Sequence, residues 1–432
     1  MPDPHAGDVT VVGAGLIGLF SAHYLLERGY DVTLLERGTA GGGAARVNGG
    51  WVCPARSDPL PSWGVVRDGV RSLARPYGGS FFLGARALPH VAGYLGRFVL
   101  SSGAHRFERS WDELDVLNRQ TAGLIDELVE AGIVSGLQDE GFLMVHPTRE
   151  QAEASWASLS AVSRRGLSPA PEPVVGRGEL LELEPGLGEA ARFGFVHRGD
   201  RWLDPSRLVD RLVGSAISRG ARVVTETPVR AVRQRGSRVE LATPAGVIEA
   251  GHVVIAAGAW SEELLRPIGV RGYVTPGKGY SFTVHPERPP RHVLRLGDTH
   301  VGVTPMGDRT RVLGLVELDG THEGVHTERI ALMKRQAAPY LTGIDWDAST
   351  DEAVGARPMT PDGKPLIGCV PGAERIVVAT GHNMLGLSLG AATGVLVAAF
   401  VAKGPAAAVP AFDPMRFTRR HGLGSARARA HD

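Results

Sequence analysis

The sequence predicts an α/β fold in which a Rossmann-like domain is joined to an α+β domain with a mixed or antiparallel sheet. Three observations lead to this prediction. Residues 8–36 read as strand, tight turn, helix and strand, the start of a Rossmann-like unit. Short β segments between residues 221 and 257 return to the same domain. The β-rich runs between residues 273 and 317 alternate as in an antiparallel sheet.

The order of these segments along the chain predicts that both domains are discontinuous. Residues 83–165 carry apolar residues at helical spacing and separate the first unit from its later strands. Asp204-Pro205 predicts a helix start, with the carboxylate as N-cap and proline in the first turn. We expect a Rossmann-like domain of residues 8–82, 193–265 and 350–404, a second domain of residues 83–192 and 266–349, and a partly disordered tail of residues 405–432.

Composition limits the classes of partner. The chain has 432 residues, of which 43% are hydrophobic and 22% charged, and its formal net charge is +1. These values are typical of a globular protein and give no electrostatic indication of nucleic-acid binding. Cys53 and Cys369 cannot form a disulfide framework or a cysteine-rich metal site, and the fifteen histidines show no metal-ligand spacing. We therefore expect neither a nucleic-acid partner nor a metal.

The cellular location is predicted from three segments. The start, MPDPHAG, lacks the basic region and apolar core of a signal peptide, which favours the cytoplasm. Met384–Ala402 is uncharged, but its glycines and hydroxyl residues indicate a buried helix rather than a transmembrane one. The tail carries arginines that could contact a partner or the inner face of an anionic membrane, although a solvated chain end is more common. These are Arg416, Arg419, Arg420, Arg427 and Arg429.

The first unit carries a dinucleotide fingerprint. Gly13 permits the sharp turn, Gly15 lets the backbone approach a pyrophosphate, and Gly18 allows close packing of helix on strand. Glu36 ends the second strand, where its carboxylate can accept ribose hydroxyls and would repel a 2′-phosphate. This favours FAD or NAD over NADP. The residues expected to bind here are Gly13, Gly15, Leu16, Ile17, Gly18, Glu36 and Arg37.

A second glycine turn near the end of the chain distinguishes the two dinucleotides. Residues 375–380 read as a strand that runs into Gly381, and a helix is expected to start near Leu385. The positive end of that helix could face a second electron-rich group. NAD has no such group, whereas a reduced flavin carries negative charge near N1 and O2. The turn therefore favours FAD.

These motifs together resemble one family. The chain is similar to the FAD-dependent amine oxidoreductases of the D-amino-acid oxidase type, especially bacterial D-amino-acid dehydrogenase and glycine oxidase. The resemblance runs from residue 8 to residue 404 and is weak in residues 83–192. It implies a glutathione-reductase-type FAD domain with non-covalent FAD. The further cofactor contacts that it implies are Asn48, Gly49, Gly50, Val229, Ala257, Gly258, Trp260, Gly381, Asn383, Met384, Leu385, Gly386, Leu387 and Ser388.

The resemblance also implies residues for the substrate. Arg357 matches the arginine that grips the substrate carboxylate, a task that suits its bidentate fork. Tyr280 could add a hydroxyl, close the pocket, or simply pack in a strand. His382 could stack near the flavin or assist the amine, but capping of the following helix is favoured. Lys278 could influence dioxygen or amine chemistry, although an exposed lysine is expected.

The function implied is oxidation of the C–N bond of a D-amino acid or N-substituted amino acid. Hydride would move to flavin N5, and the imine would hydrolyse to a keto acid and ammonia or an amine. The electron acceptor could be dioxygen, a quinone or a partner protein. Two alternatives remain open: a tailoring enzyme for a cyclic or carrier-bound amine, and an FAD subunit that needs partner chains.

Overall fold

The computed structural model describes residues 7–74, 81–84 and 87–418. Within these ranges the strands are β1 (Asp8–Val12), β2 (Asp31–Leu35), β3 (Trp51–Val52), β4 (Phe81–Leu83), β5 (Phe142–His146), β6 (Val175–Gly176), β7 (Phe193–His197), β8 (Arg201–Trp202), β9 (Arg222–Val224), β10 (Ala231–Arg235), β11 (Arg238–Thr243), β12 (Gly246–Ala250), β13 (His252–Ile255), β14 (Thr275–Val284), β15 (Val293–Leu296), β16 (Val301–Met306), β17 (Arg309–Leu318), β18 (Thr350–Met359), β19 (Leu366–Val370) and β20 (Ala373–Thr380). The helices are α1 (Leu16–Glu27), α2 (Trp63–Ala74), α3 (Leu88–Ser101), α4 (Ala104–Glu130), α5 (Arg149–Ser163), α6 (Arg177–Leu183), α7 (Pro205–Ser218), α8 (Ser261–Leu265), α9 (Thr327–Ala337) and α10 (Gly390–Lys403).

The first layer is a six-stranded sheet in the order β19-β20-β13-β1-β2-β9, parallel except for the β19–β20 pair. Val11 of β1 lies between Leu34 of β2 and Val254 of β13. All three side chains are fully buried, as expected for strands that are covered on both faces. The carboxyl ends of β1, β13 and β20 therefore meet at one edge, where the glycine turns follow.

Helices α1 and α10 pack together against this sheet. An added Cβ on Gly390 would lie 2.5 Å from the Phe20 ring, and one on Gly394 would lie 2.6 Å from the Phe20 carbonyl oxygen. Small residues thus allow the two helices to touch through their backbones. Among the described helices, Gly390–Ala407 is the one stretch long and apolar enough to cross a membrane, and half of it is buried.

The prediction that this last helix starts near Leu385 is wrong. Helix α10 begins at Gly390, five residues later. Asn383 has a φ of +53° and Gly381 a φ of +79°, and these left-handed conformations end strand β20 in a turn that cannot continue directly as a helix. The Leu385 N–H donates to the His382 carbonyl within that turn.

The second layer is a larger mixed sheet in the order β18-β14-β17-β16-β15-β5-β7-β6, with β4 added beside β17. Most neighbours are antiparallel, and β15–β5 and β17–β4 are parallel. Helix α9 packs on one face of this sheet. Strands β7 and β18 lie in segments that we assigned to the Rossmann-like domain, yet both hydrogen-bond within this sheet.

The predicted tail begins as ordered chain. Phe412 is fully buried, and the Arg416 guanidinium donates to both carboxylate oxygens of Asp362 at 2.8 and 2.9 Å. Arg416 therefore has an internal partner. The other four arginines of the tail lie outside the described residues.

The packing of α1 on α10 predicts the effect of a single methyl group. Gly394→Ala should lower the free energy of unfolding by about 1 to 3 kcal/mol, because the new methyl overlaps backbone that cannot move freely. Gly214→Ala, at an exposed position of helix α7 where nothing lies within 4 Å of the added methyl, should be neutral or stabilising by about 0.5 to 1 kcal/mol. Urea unfolding of the two variants measures the difference, and equal stability would contradict the close packing.

Candidate active site

A cavity of about 1540 Å³ lies between the carboxyl edge of the six-stranded sheet and one face of the large sheet. Most of the residues predicted to bind cofactor or substrate line it. They are Gly13, Gly15, Leu16, Ile17, Glu36, Arg37, Asn48, Gly49, Val229, Ala257, Gly258, Trp260, Tyr280, Arg357, His382, Asn383, Met384, Leu385, Gly386, Leu387 and Ser388. Segments up to 370 residues apart in sequence are thereby brought to one cavity.

Three predicted residues are not among those that line the wall. A Cβ on Gly18 would overlap the Gly13 carbonyl oxygen, and one on Gly50 would overlap the Leu203 carbonyl oxygen. A Cβ on Gly381 would lie 2.5 Å from the Thr360 methyl group. These glycines bring backbone segments together behind the wall. A direct contact of any of them with cofactor stays a prediction.

One end of the cavity has the features that a diphosphate requires. Gly15 is the N-cap of α1, no side chain caps this helix, and no atom lies within 4 Å of an added Cβ on Gly15. The free N–H groups of the first turn therefore have room for an anion. Glu36 accepts hydrogen bonds from the Ala14 N–H at 2.8 Å and the Gly38 N–H at 3.1 Å, which fixes its carboxylate beside the turn.

Aromatic and charged side chains close the same end of the cavity. The Arg37 guanidinium lies 4.4 Å from the centre of the Trp260 ring and forms an ion pair with Glu323 at 3.1 Å. His322 stacks on the same indole. Because Arg37 already has these partners, its contact with a cofactor stays a prediction, and its visible role is to hold Trp260 at the wall.

At the other end, backbone N–H groups are left available while polar side chains hold the backbone. The N–H groups of Met384, Gly386 and Leu387 have no acceptor within the described part of the chain. Asn383 is fully used, since its Oδ1 accepts from the Thr360 N–H and its Nδ2 donates to Thr360 and Gly381. Such a rim of unpaired donors fits the electron-rich edge of a flavin.

The loop that carries Asn48 is held in a similar way. The Asn48 side chain donates to the Ala45 carbonyl at 2.6 Å and accepts from the Gly50 N–H at 2.8 Å. Arg311 donates to the carbonyls of Arg46 and Asn48, and burial lowers the pKa of its guanidinium. We had not singled out Arg311, because its target is a backbone segment 260 residues away that leaves no mark in the local sequence.

Arg357 lies largely buried at the cavity wall without an acidic partner among the described residues. Its Nη1 donates to the Leu315 carbonyl at 2.8 Å, and removal from water lowers the pKa of the guanidinium to about 10. It remains charged at neutral pH. The guanidinium covers Gly279 so closely that any Cβ there would overlap it.

A backbone irregularity supplies the acceptor that Arg357 has among the described residues. Leu315 has a φ of +59°, which is rare for a residue with a branched side chain, and β14 and β17 shift register at this point. This β-bulge turns the Leu315 carbonyl out of the ladder toward the guanidinium. No sequence signal marked Leu315, because leucine gives no hint of a left-handed conformation.

Tyr280 and Lys278 belong to a charged network with α9 on the other side of β14. The Tyr280 hydroxyl donates to Glu317, which also accepts from Arg329 at 2.8 Å, so a bond from Tyr280 to substrate would require breaking this contact. The expectation of an exposed Lys278 is wrong: it is fully buried and pairs with Asp319 at 2.6 Å. Strand alternation sends these side chains away from Gly279 and Arg357.

One group with metal-ligand spacing occurs in the described part of the chain, and it belongs to this network. Glu317, Asp319 and His326 each place one ligand atom within 4.8 Å of the others. Glu317 already accepts from Tyr280 and Arg329, and Asp319 already pairs with Lys278. The carboxylates are therefore neutralised by the protein itself.

His382 is 1% exposed and lies beside α10. Its Nε2 hydrogen-bonds the Thr393 hydroxyl at 2.9 Å, a side-chain contact that does not cap the backbone N–H groups of the helix, while its Nδ1 has no partner among the described residues. Burial lowers the pKa of His382 to about 3. The imidazole is therefore neutral at physiological pH and is no source of protons for an amine.

The depressed pKa of His382 predicts a pH dependence of stability. Between pH 6.5 and about 3 the unfolded chain binds a proton that the folded chain does not, so acidification should cost up to about 1.4 kcal/mol per pH unit. His382→Gln, which keeps a polar group near Thr393, should lose this dependence. Urea unfolding from pH 7.5 to 5 should show a steeper loss for the natural protein. Parallel curves would contradict the assignment.

Comparisons with known proteins agree with this geometry. The sequence model of the family described as FAD dependent oxidoreductase matches residues 8–400. A D-amino acid dehydrogenase from Paramagnetospirillum magneticum is 30% identical over 411 residues, which cover 92% of this chain and 96% of that relative. Glycine oxidase from Geobacillus kaustophilus is 26% identical with a TM-score of 0.69, and the match covers 97% of this chain and 100% of that one.

Iminodiacetate oxidase from a Chelativorans species, at 22% identity, has the same fold with a TM-score of 0.70, over 94% of this chain and 98% of that one. The fold class and the family that the motifs predicted are confirmed by these matches. The chain belongs to the family of FAD-dependent oxidoreductases, with FAD as its cofactor.

Proposed function

We propose that this protein oxidises the C–N bond of an amino acid, either a D-amino acid or an N-substituted one, and that Arg357 binds the substrate carboxylate. The observation that carries this proposal is the buried guanidinium, which has no acidic partner among the described residues and borders the cavity of the dinucleotide fingerprint. A buried charge of this kind is stabilised when a ligand brings the opposite charge.

The residues of the chain act mainly by positioning. Arg357 offers two parallel N–H groups to a carboxylate, which fixes the orientation of the α-carbon over the cofactor site. Gly279 leaves the space that the guanidinium occupies. Bound FAD would supply the acceptor for the α-hydride at its N5, and water would hydrolyse the resulting imine to a keto acid and ammonia or an amine.

The amine must be neutral before its α-hydride can leave, and the protein does not add a proton to it. His382 is neutral at physiological pH, and the hydroxyl of Tyr280 is committed to Glu317. Neither residue competes for the lone pair of the amine nitrogen. We therefore propose that positioning rather than acid–base chemistry carries the reaction.

We infer that FAD is held non-covalently. Gly355 and Ala356 line the cavity beside Arg357, and neither side chain can form a covalent bond to a flavin. Of the two cysteines, Cys53 lines the cavity and is 5% exposed, whereas Cys369, on β19, is not among the lining residues. Burial raises the pKa of its thiol to about 11, so it is no reactive thiolate at neutral pH.

Removal of the guanidinium fork tests the substrate assignment. The substrate is the amino acid that reduces the natural protein best, chosen from a panel of D-, L- and N-methyl amino acids. Arg357→Met should slow the anaerobic reduction of FAD by this substrate about 100- to 1,000-fold at low substrate concentration. Arg357→Lys should recover part of this loss, because it keeps the charge without the fork. The measurement is the bleaching of the flavin absorbance in stopped flow.

Two further variants complete this experiment. Gly279→Ala should weaken reduction in the same direction, since its methyl displaces the guanidinium. Arg233→Met, on the exposed face of the small β10–β12 sheet, removes an arginine far from the cavity and should leave the rate unchanged. Normal reduction in Arg357→Met, or no reduction of the natural protein by any member of the panel, would reject the proposal.

We propose that electrons leave through a quinone or a partner protein rather than dioxygen. The 30% identical relative is named a dehydrogenase, which supports this acceptor. Substrate-reduced protein mixed with a soluble quinone should re-oxidise at least about tenfold faster than with air-saturated buffer. Faster re-oxidation by dioxygen would make it an oxidase.

A further inference from the structure

A second arginine of the large sheet lines the cavity beside Arg357. Among the described residues the cavity wall holds four arginines. Arg37 and Arg230 border the nucleotide end, next to Glu36 and Val229. Arg295, on β15, belongs with Arg357 to the wall formed by the large sheet. The substrate end of the cavity therefore presents two guanidinium groups.

Strand register puts both groups on the same face of the sheet. Arg295 lies opposite Gly302, Gly302 opposite Leu313, and Leu313 opposite Ser281 of β14. Ser281 is two residues from Gly279, so both positions lie on the same face of the sheet. The Arg357 guanidinium covers Gly279, and the row from Arg295 to Ser281 therefore lies on the same face as that guanidinium. Arg357 reaches β17, where it donates a hydrogen bond to Leu315. The strand that carries Arg295, β15, is two strands beyond β17, a separation of about 10 Å.

Trp51 holds Arg295 against this wall. The end of the Trp51 ring covers Gly302 so closely that a Cβ there would overlap it, and the Trp51 Nε1 donates to the Thr304 hydroxyl at 2.7 Å. The Arg295 guanidinium lies 5.1 Å from the centre of this ring. A stacked guanidinium keeps its five N–H donors in its own plane, so it can bind a carboxylate while keeping other contacts within the protein.

The surroundings of Arg295 suit an anion. Neighbouring segments contribute His146, Gln151, Ser155 and His300 to the cavity wall, all of which can donate hydrogen bonds. The described acidic residues of the wall belong to elements other than β15. They are Glu36, Asp58, Asp68, Glu263 and Glu323.

We propose that Arg295 binds a second carboxylate of the substrate, so that the preferred substrates are amino acids with an acidic side chain or an acidic N-substituent. This rests on the proposed function, in which Arg357 binds the first carboxylate. A five-carbon amino dicarboxylate with one hydrogen bond at each end spans roughly 10 to 13 Å, comparable to the separation of the two arginine sites. Arg295 is then a specificity residue, and the hydride chemistry does not depend on it.

A pair of isosteric substrates tests this proposal. At the end of the side chain, glutamate has a negatively charged carboxylate where glutamine has a neutral amide of nearly the same shape. In the anaerobic half-reaction the natural protein should be reduced about 10- to 100-fold more efficiently by the accepted enantiomer of glutamate than by glutamine. Arg295→Met should remove this preference, so that glutamate and glutamine reduce the protein with equal efficiency.

Binding without turnover provides an independent readout. Titration of the FAD-loaded protein with glutarate and with its monoamide, followed by the change in flavin absorbance, should give about 10-fold or more tighter binding of glutarate. Arg295→Met should make the two ligands equal. Arg291→Met, in the exposed segment just before β15, is the matched control and should behave as the natural protein does.

The outcomes separate this inference from the proposed function. Reduction by neutral amino acids, with glutamate no better than glutamine, would overturn the role of Arg295 and leave that of Arg357 intact. A preference for glutamate that persists in Arg295→Met would also overturn it. No reduction by any amino acid, acidic or neutral, would reject the proposed function itself.

Discussion

The large sheet is arranged around one constraint, the Arg357 guanidinium. This cation is largely buried and has no carboxylate beside it among the described residues. Burial of an isolated ion costs several kcal/mol, and the one hydrogen bond from Arg357 to the Leu315 carbonyl offsets only part of it. Even that bond requires a left-handed leucine and a β-bulge. The protein thus retains local strain and an incomplete ion pair at one place, which is where a ligand carboxylate contributes most.

The cofactor side of the cavity follows a related rule, with backbone donors in place of a charge. The N–H groups at the start of α1 and those of Met384, Gly386 and Leu387 have no acceptor in the described part of the chain, and side chains nearby hold the backbone rather than the ligand. Asn48, Asn383 and Arg311 are all used in this way. Because these clamps are formed within the protein, the donors need little reorganisation when an anionic group arrives.

Features encoded in a few consecutive residues could be predicted from the sequence. The glycine turn after β1 and the helix start at Asp204-Pro205 depend on local backbone preferences; Asp204 does accept from the Ser206 N–H at 2.9 Å. The start of α10 could not be predicted, because the left-handed Asn383 is held by Thr360, which directly follows β18. Lys278 was misjudged for a similar reason, since its partner Asp319 comes from the far end of β17.

The alternation of side chains along β14 explains how one strand serves both stability and chemistry. Lys278 and Tyr280 point to α9, where Asp319, Glu317 and Arg329 complete a network in which each charge has a partner. Gly277 and Gly279, on the opposite face, leave space for Met359 and Arg357. Paired charges on one face keep the sheet rigid, and that rigidity holds the unpaired guanidinium in position on the other. A one-residue slip of β14 would exchange the two faces, so the network with α9 also fixes the register on which the candidate active site depends.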